Sequence, residues 1–281
     1  MDRRVQPLDL SVVRAALDRA PVGGRVIYHE RVASTMPIGH AAAADGSIPA
    51  GTVVVAEEQT SGRGRRQRHW SAPYATSLLV SVVLKAPLLP AHPAVLPMIA
   101  GVAIVYSLHA TATEMAGQVK LKWPNDVLLL AQDGTAAKVA GVLIEAAYRQ
   151  GALDHAVVGI GINVNQAADE LPDVAPDAPR PTSLCLHLGR PVDRTHLLIE
   201  LCRQLSARLH PASTRAAVFD EWRILLHSLG RRVRITASAD AANALVGMAA
   251  DVTLDGELVL IDDAGIRHVV STGDVSLRSE L

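Results

Sequence analysis

The chain has 281 residues and a formal net charge of −1; 49% of the residues are hydrophobic and 3% are aromatic. This composition supplies a substantial apolar core, which excludes disorder as the dominant state. The near-neutral charge argues against a surface tuned as a whole to nucleic acid, so we expect any anion-binding role to be local.

The cysteines and the apolar segments indicate the cellular compartment in which the protein works. Cys185 and Cys202 do not form a CxxC pair and cannot by themselves make a zinc site, so they indicate two reduced thiols in a cytoplasmic protein. Charges interrupt the apolar residues of the N-terminal segment, which is not typical of a signal peptide. Pro93–Leu108 is shorter than the roughly 20 residues that cross a bilayer, and it predicts a buried helix instead.

The first half of the chain predicts two helices and several strands. Apolar spacing favours a short helix over 11–20, and strand-length apolar runs follow at 52–57 and 77–84. A longer helix is predicted over about 94–115. Residues 119–130 then indicate two strands separated by a turn at Pro124, because proline cannot donate to a β-ladder.

The second half predicts hairpins, two helices and a small β domain. Asp133-Gly134 and Gln150-Gly151 are turn signals, and an apolar run follows each. We predict a loop over 167–181 and helices over about 194–209 and 214–228, with Gly230 terminating the second. Four short apolar runs after it predict an SH3-like β-barrel.

Consecutive hairpins with segregated helices predict an α+β fold, in which helices flank a mixed or antiparallel sheet. We expect one catalytic domain at 1–229, of which 1–25 is a short extension, and a second domain at 230–281.

The stretch GRGRRQRHW (62–70), which we call the arginine loop, concentrates positive charge. Its cations are Arg63, Arg65, Arg66 and Arg68. No Asp or Glu occurs from Gln59 to Thr113, so nothing nearby in sequence can pair with them. Because guanidinium groups are forks suited to carboxylate and phosphate, the loop favours a small polyanionic ligand. The alternatives are a solvated basic loop and a nucleic-acid patch.

Other polar residues interrupt apolar surroundings further along. Lys122, Trp123, Asn125 and Asp126 combine a cation, a stacking surface, an amide and a carboxylate. Taken alone, these residues favour an ordinary proline turn with a buried tryptophan over a functional site. Lys138 lies in an apolar strand, either as an edge lysine reaching water or as a point charge for a phosphate or carboxylate.

Glycine and histidine patterns argue against a glycine-rich nucleotide-binding loop and against a metal site. GIGINV (159–164) lacks the third glycine of a dinucleotide fingerprint, and no P-loop is present. Gly159 and Gly161 therefore indicate strand positions that a backbone or a ligand approaches closely. The histidines show no metal-like spacing, so we assign no metal ligands to protein side chains.

The order of these motifs resembles the biotin–protein ligase family. From about Tyr28 onward the chain contains, in the family's order, Ser34-Thr35, EEQTSGRGRRQRHW, KWPNDV, KVAGVLIE, GIGINVN and SLRS. The resemblance implies a catalytic domain like that of class II aminoacyl-tRNA synthetases, followed by an SH3-like domain. It also implies that biotin and ATP, with Mg²⁺, give biotinyl-5′-adenylate, from which a lysine of a carboxylase's biotin-carrier domain takes the biotinyl group.

The resemblance also implies roles for individual residues. Those at the biotin site would be Ser34, Thr35, Met36, Gln59, Gly62, Arg63, Gly64, Arg65, Lys138, Gly141, Gly159 and Gly161. The nucleotide would contact Arg66, Arg68, Trp123, Asn125, Asn163 and Arg278. The catalytic groups would be Arg63, Arg65, Lys138 and Asp126. We expect the arginine loop to become ordered when biotin binds.

Two positions depart from the family pattern: Ala33 replaces the usual acidic residue before Ser-Thr, and Met36 replaces the usual Asn after it. The N-terminal DNA-binding domain of repressor-type members is not seen, so we expect ligase activity without operator binding, in a monomer or a homodimer. The rival hypotheses are a lipoate or octanoate ligase or transferase of related fold, and a non-catalytic nucleic-acid-binding module.

Overall fold

The structure is a computed structural model that describes most of the chain. The described residues are 5–70, 72–174, 178–210, 214–236, 244–271 and 273–277. Arg278, an expected nucleotide contact, lies outside them.

Helices and strands follow one another along the chain without a regular alternation. Those of the first half are α1 (Leu10–Ala16), β1 (Val26–Val32), α2 (Thr35–Ala44), β2 (Val53–Gln59), β3 (Gly62–Arg63), β4 (His69–Trp70), β5 (Ser77–Leu84), α3 (Leu96–Thr111), β6 (Val119–Lys122) and β7 (Asp126–Leu130). Those of the second half are β8 (Ala136–Arg149), β9 (Ala152–Asn163), α4 (Leu184–Leu188), α5 (Arg194–Arg208), α6 (Arg215–Leu225), β10 (Arg232–Thr236), β11 (Leu245–Val252), β12 (Leu258–Asp262), β13 (Arg267–Val270) and β14 (Asp274–Leu277).

A seven-stranded mixed sheet forms the centre of the molecule, in the order β1-β2-β5-β9-β8-β7-β6. β1 and β2 are parallel, and the other neighbours are antiparallel. The predicted hairpin between β8 and β9 is confirmed: Gln150 and Gly151 have φ of 52° and 81°, as a two-residue turn with two left-handed residues requires. The predicted α+β class is therefore confirmed.

The two faces of this sheet are covered by different helices. On β9, Val158, Ile160 and Ile162 point into the main core, which α3 and α5 also enter. The alternate residues of β9 point to the other face, where Val157 lies beneath α2. The functional residues described below lie on the α2 face.

Helix α3 belongs to the main core. Pro93–Thr111 is long and apolar enough to cross a membrane by composition, but 67% of the 18-residue window is buried inside the protein. The prediction of a buried helix is confirmed.

A β-bulge in β8 decides which residues of this strand reach the α2 face. The register between β7 and β8 shifts where Val127 pairs with Ala140 and Leu128 pairs with Lys138. Val139 and Ala140 consequently both belong to the main core, although they are consecutive. The irregularity places Lys138 on the same face as Gly141, which strict alternation would not do.

The C-terminal part forms a second, antiparallel sheet of five strands, in the order β13-β12-β11-β10-β14. The predicted small β architecture is confirmed, but within the described residues no pairing between β13 and β14 closes it into a barrel. The preceding helix α6 ends at Leu225, so the prediction that Gly230 terminates it is wrong. The boundary at 229/230 stays a prediction.

A ligand cavity beneath the arginine loop

A cavity of about 730 Å³ lies on the α2 face of the seven-stranded sheet. Its walls are the N-terminus of α2, the arginine loop, the turn between β6 and β7, strands β8 and β9, and part of the loop that follows β9. Most of the predicted site residues line it, namely Ser34, Thr35, Met36, Gln59, Arg63, Gly64, Arg65, Arg68, Asn125, Asp126, Lys138, Gly141, Gly159, Gly161 and Asn163.

One end of the cavity is built by the start of α2. Ser34 is the N-cap, and its hydroxyl accepts a hydrogen bond from the backbone N–H of Met36. The backbone N–H of Thr35 donates to Gln59 Oε1 at 2.7 Å, and the Thr35 hydroxyl lies 3.1 Å from the same oxygen. These contacts fix the orientation of the Gln59 amide, because its oxygen must face Thr35.

Two glycines of β9 form the floor. A Cβ at Gly159 would lie 2.7 Å from Met36 Sδ, and a Cβ at Gly161 would lie 2.6 Å from the indole of Trp70. Any side chain at these positions would therefore displace a cavity wall. The two glycines therefore let Met36 of α2 and Trp70 of the arginine loop lie close to the backbone of β9.

Two lysines surround one carboxylate at the opposite end. Lys138 Nζ lies 2.7 Å from Asp126 Oδ1, and Lys122 Nζ lies 3.8 Å from Asp126 Oδ2. The backbone of Lys138 is also fixed, since its N–H donates to the carbonyl of Arg180 at 2.8 Å. Within the part of the chain that the structure describes, two cations thus lie against one carboxylate, an arrangement that suits an anionic ligand.

The arginine loop is a short hairpin outside the large sheet. β3 and β4 pair only with each other among the described residues, through Gly62 with Trp70 and Arg63 with His69. Arg66, at the tip, has a left-handed φ of 54°, which reverses the chain.

Side chains connect this hairpin to the rest of the protein. Arg65 Nη1 donates to Asn125 Oδ1 at 2.9 Å, and Arg66 Nη2 donates to the carbonyl of Thr236, in the second sheet, at 3.1 Å. Arg63 Nη2 lies 2.9 Å from Glu145 Oε1 on β8. No acid lies near these arginines in sequence, but β8 brings a carboxylate that is distant in sequence to Arg63.

Three predicted residues are not on the wall of the main cavity. Gly62 and Arg66 line an adjoining cavity of about 330 Å³ on the Glu145 side of the loop. Trp123 is 1% exposed, and its indole donates to the carbonyl of Gly256 at 2.7 Å. The expectation that Trp123 contacts the nucleotide is thus corrected, because its side chain lies in the core.

Asn163 lines the main cavity but is also held by its neighbours. Its Nδ2 donates to the carbonyl of Thr182 at 3.0 Å, and its Oδ1 accepts from Gln166 Nε2 at 3.0 Å. These bonds fix the amide at the edge of the floor.

Trp70 and Lys122 line the cavity, although the sequence did not place them among the site residues. Trp70 occurs within the arginine loop, so its position in the motif was an available signal. Its indole lies against Gly161, and Lys138 Nζ lies 5.9 Å from its ring centroid. Lys122 carried a weaker signal, because a lysine next to a buried tryptophan is usually a surface residue.

Comparison with known proteins gives two family matches. Residues 20–163 match the biotin/lipoate A/B protein ligase family, and residues 228–278 match the biotin protein ligase C-terminal domain.

Individual proteins agree with these matches. The biotin–[acetyl-CoA-carboxylase] ligase of Mycobacterium tuberculosis is 36% identical, over 98% of this chain and 97% of that protein. The bifunctional ligase/repressor BirA of Bacillus subtilis is 30% identical, over 96% of this chain and 79% of that protein. The Aquifex aeolicus biotin protein ligase in complex with biotin and ATP superimposes with a TM-score of 0.69 at 25% identity, over 91% of this chain and 99% of that one. The chain therefore belongs to the biotin/lipoate A/B protein ligase family, as a biotin protein ligase.

Proposed function

We propose that this biotin protein ligase activates biotin with ATP in the cavity beneath the arginine loop. A carboxylate oxygen of biotin attacks the α-phosphorus of ATP, and pyrophosphate leaves. A lysine amine of a carboxylase's biotin-carrier domain then attacks the acyl carbon of the biotinyl-adenylate, AMP leaves, and the new amide nitrogen loses a proton.

The observation that carries this proposal is the polarity of the cavity. Its floor is apolar and includes two glycines, against which Met36 and Trp70 lie, whereas one end carries Lys138 and Lys122 beside Asp126. Biotin has fused rings that carry a ureido group, an apolar chain, and a single carboxylate at the end of that chain. The fused rings fit above β9 beside Met36 and Trp70, and the carboxylate then faces the cations.

The ureido group of biotin occupies the end formed by α2 in this arrangement. Ser34, Thr35 and Gln59 supply hydroxyl and amide groups there, and Gln59 is oriented by Thr35. Met36 contributes its thioether to the wall above Gly159 and its backbone to the first turn of α2. A polar group that meets oriented partners is bound more specifically than one that meets flexible ones.

The adenylate linkage is placed between the arginine loop and β8. Arg65 and Lys138 face this region from opposite sides, and Arg63, Gly64 and Gly141 complete its walls. Biotin's carboxylate and the α-phosphate repel each other until cations neutralise them. We assign the rate enhancement chiefly to this preorganised charge, with Asp126 holding Lys138 in position.

The nucleotide lies toward the β6–β7 turn in this proposal. Asn125 and Asn163 line that side, and Arg66 and Arg68 supply charge for the phosphates. Trp70 replaces Trp123 as the aromatic contact. Its Nε1 is buried without a partner among the described residues, so a bound ligand can satisfy it.

Mg²⁺ is proposed to arrive with the phosphates of ATP, whose oxygens are ligands it prefers. The described residues contain no group of three or more His, Cys, Asp or Glu that could hold a metal ion. We therefore expect the phosphates and water to be its main ligands, and its contribution to be neutralisation of negative charge.

We expect the ligase to act in the cytoplasm and to bind no operator DNA, and we propose that residues 230–281 form a separate domain. The cysteines fit a reducing compartment, since neither forms a disulfide and burial raises the pKa of the Cys202 thiol to about 12.

The decisive experiment is incubation of the protein with biotin, ATP and Mg²⁺, followed by mass spectrometry for biotinyl-5′-adenylate. We expect the adenylate and pyrophosphate to appear together. Reactions that lack ATP, or in which lipoate replaces biotin, are the controls. Adenylate formation with lipoate but not with biotin would contradict the proposal.

A further inference from the structure

The arginine loop has few backbone connections to the sheet beneath it, so its side chains decide where it lies. Among the residues that the structure describes, its two short strands pair with each other and not with the seven-stranded sheet. Among its side-chain contacts, the bond of Arg63 to Glu145 connects the beginning of the loop to a cavity-forming strand. Neither residue is deeply buried, since the exposed side-chain fractions are 53% and 27%.

Glu145 is placed to bind two cationic or donor groups at once. Its register partner on β9 is Val157, which lies beneath α2, so its side chain leaves β8 on the cavity side of the sheet. Oε1 lies 2.9 Å from Arg63 Nη2, and Oε2 lies 3.0 Å from His40 Nε2. Because His40 belongs to α2, this single carboxylate connects the arginine loop to the helix whose N-terminus forms the other end of the cavity.

The His40 contact continues into a chain of hydrogen bonds. His40 Nδ1 lies 3.0 Å from His155 Nε2, and His155 Nδ1 lies 2.8 Å from Asp154 Oδ2. This last bond holds the pKa of the Asp154 carboxyl below its usual range.

We propose that Glu145 is a positioning residue for the ligase reaction: it anchors Arg63, and with it the beginning of the arginine loop, to β8 and α2. The loop then lies over the cavity before substrates arrive, so that less ordering is needed when biotin binds. This inference rests on the proposed function, because it assigns the loop to the biotin site.

Glu145→Gln tests the anchor with minimal change of shape. The amide oxygen can still accept from Arg63 and the amide NH2 group faces His40 Nε2, so what the substitution removes is the negative charge that pairs with the guanidinium. Glu58→Gln is a matched control: Glu58 also accepts from an arginine, Arg31, at 2.8 Å on the same sheet, and it does not line the cavity.

Two measurements are made on each variant. Trypsin cleaves after arginine, so mass spectrometry of peptides ending at 63, 65, 66 or 68 reports how often the loop opens. We expect Glu145→Gln without substrates to be cleaved about 3–10-fold faster than the wild type, as the loss of a half-exposed ion pair implies. In biotin-dependent ATP–pyrophosphate exchange, KM for biotin should rise by a similar factor while kcat changes less than about twofold.

A double-mutant cycle separates anchoring from general damage. Arg63→Gln should raise KM at least as much, and adding Glu145→Gln to it should cause no further rise, since the carboxylate acts through the guanidinium. Additive effects, an unchanged KM, or a loss of kcat alone would overturn the proposal. If Glu145→Gln does not fold, Arg63→Gln breaks the same pair from its exposed side, and unchanged loop cleavage in that variant would equally overturn it.

The two proposals fail in different ways. A wild-type protein with no biotin-dependent exchange would count against the proposed function, whereas the cleavage experiment needs no substrate and still tests the anchor. Equal cleavage of wild type and Glu145→Gln, alongside normal wild-type exchange, would remove Glu145 and leave the function intact.

Discussion

The floor of the cavity and the arginine loop above it are stabilised in different ways. The floor consists of β8 and β9, whose backbones pair over most of their length and whose other face enters the main core. The loop is a two-strand hairpin joined to its surroundings through individual side chains such as Arg63, Arg65 and Arg66. The floor can therefore hold its side chains in fixed positions, whereas the loop can change its conformation when a ligand binds.

This contrast separates two kinds of functional residue. Lys138 and the floor glycines are placed by backbone structure, including the β-bulge at Val139, so their replacement changes the site and leaves the sheet intact. Loop arginines combine two tasks, since the bonds that hold the loop come from side chains proposed to contact the ligand. Replacement of a floor residue should therefore cost more than replacement of a loop residue.

The largest effect is expected for Lys138→Ala. Removal of a preorganised cation from the reacting phosphate should lower the rate of adenylate formation about 10²–10³-fold, the range typical of oxyanion-stabilising groups. Single-turnover formation of biotinyl-adenylate measures this rate. Lys85→Ala is the control, because Lys85 donates to the carbonyl of Asp45 and does not line the cavity. A near wild-type rate would remove Lys138 from the site.

Gly161→Val should cost about 100-fold in kcat/KM, as a displacement of about 1 Å in a site can do. The new side chain would collide with Trp70, whose indole lies 2.6 Å from the Cβ position, while valine itself suits a strand. Gly46→Val is the control, because nothing lies within 4 Å of its Cβ position. If both variants catalyse pyrophosphate exchange equally well, the close contact between Trp70 and Gly161 is not needed for activity.

Arg65→Ala should lower kcat/KM about 10–100-fold, the value of one or two hydrogen bonds to a charged group. It removes both the proposed ligand contact and the bond to Asn125. Pyrophosphate exchange and thermal unfolding should be measured together, since we expect the midpoint of unfolding to stay unchanged. Arg232→Ala, which breaks a surface pair with Asp263, is the control. A loss of activity as large as that of Lys138→Ala would mean that loop and floor residues contribute equally to catalysis.

The smallest effect is expected for Arg66→Ala. This residue lies at the tip of the loop and reaches the second sheet through the Thr236 carbonyl, at the solvent-exposed side. We expect KM for ATP to rise about 2–5-fold, since exposed charged contacts contribute little. Steady-state kinetics with ATP as the varied substrate measure the change. An effect equal to that of Arg65→Ala would place Arg66 at the reacting centre.

Local sequence patterns predicted the elements that depend on local physics. Turn residues at Gln150-Gly151 and the break at Pro124 gave the hairpins, because left-handed residues and a missing donor act within a few positions. Helix α2 and strand β1 were missed. α2 contains Pro37, Gly39 and a run of alanines, so it has no clear apolar stripe, and β1 is only partly buried.

The site residues also divide into those that local sequence predicted and those that depend on tertiary contacts. The arginine loop and Lys138 were recognised from their chemistry and the order of motifs. The role of Trp123 was misjudged because burial is a tertiary property: the second sheet supplies the Gly256 carbonyl that its indole binds. Trp70 was not assigned although it lies within the arginine loop, because its contact with Gly161 is a tertiary property.

Residue type and short spacing were enough to predict the family pattern, the hairpins from β6 to β9, and the concentration of arginines at 62–70. The tertiary structure alone decided that Lys138 faces Asp126, that Trp70 covers Gly161, and that Arg63 pairs with Glu145. The physical reason is that a β-bulge and the pairing of distant strands set which side chains share a face, and neither is encoded in local spacing.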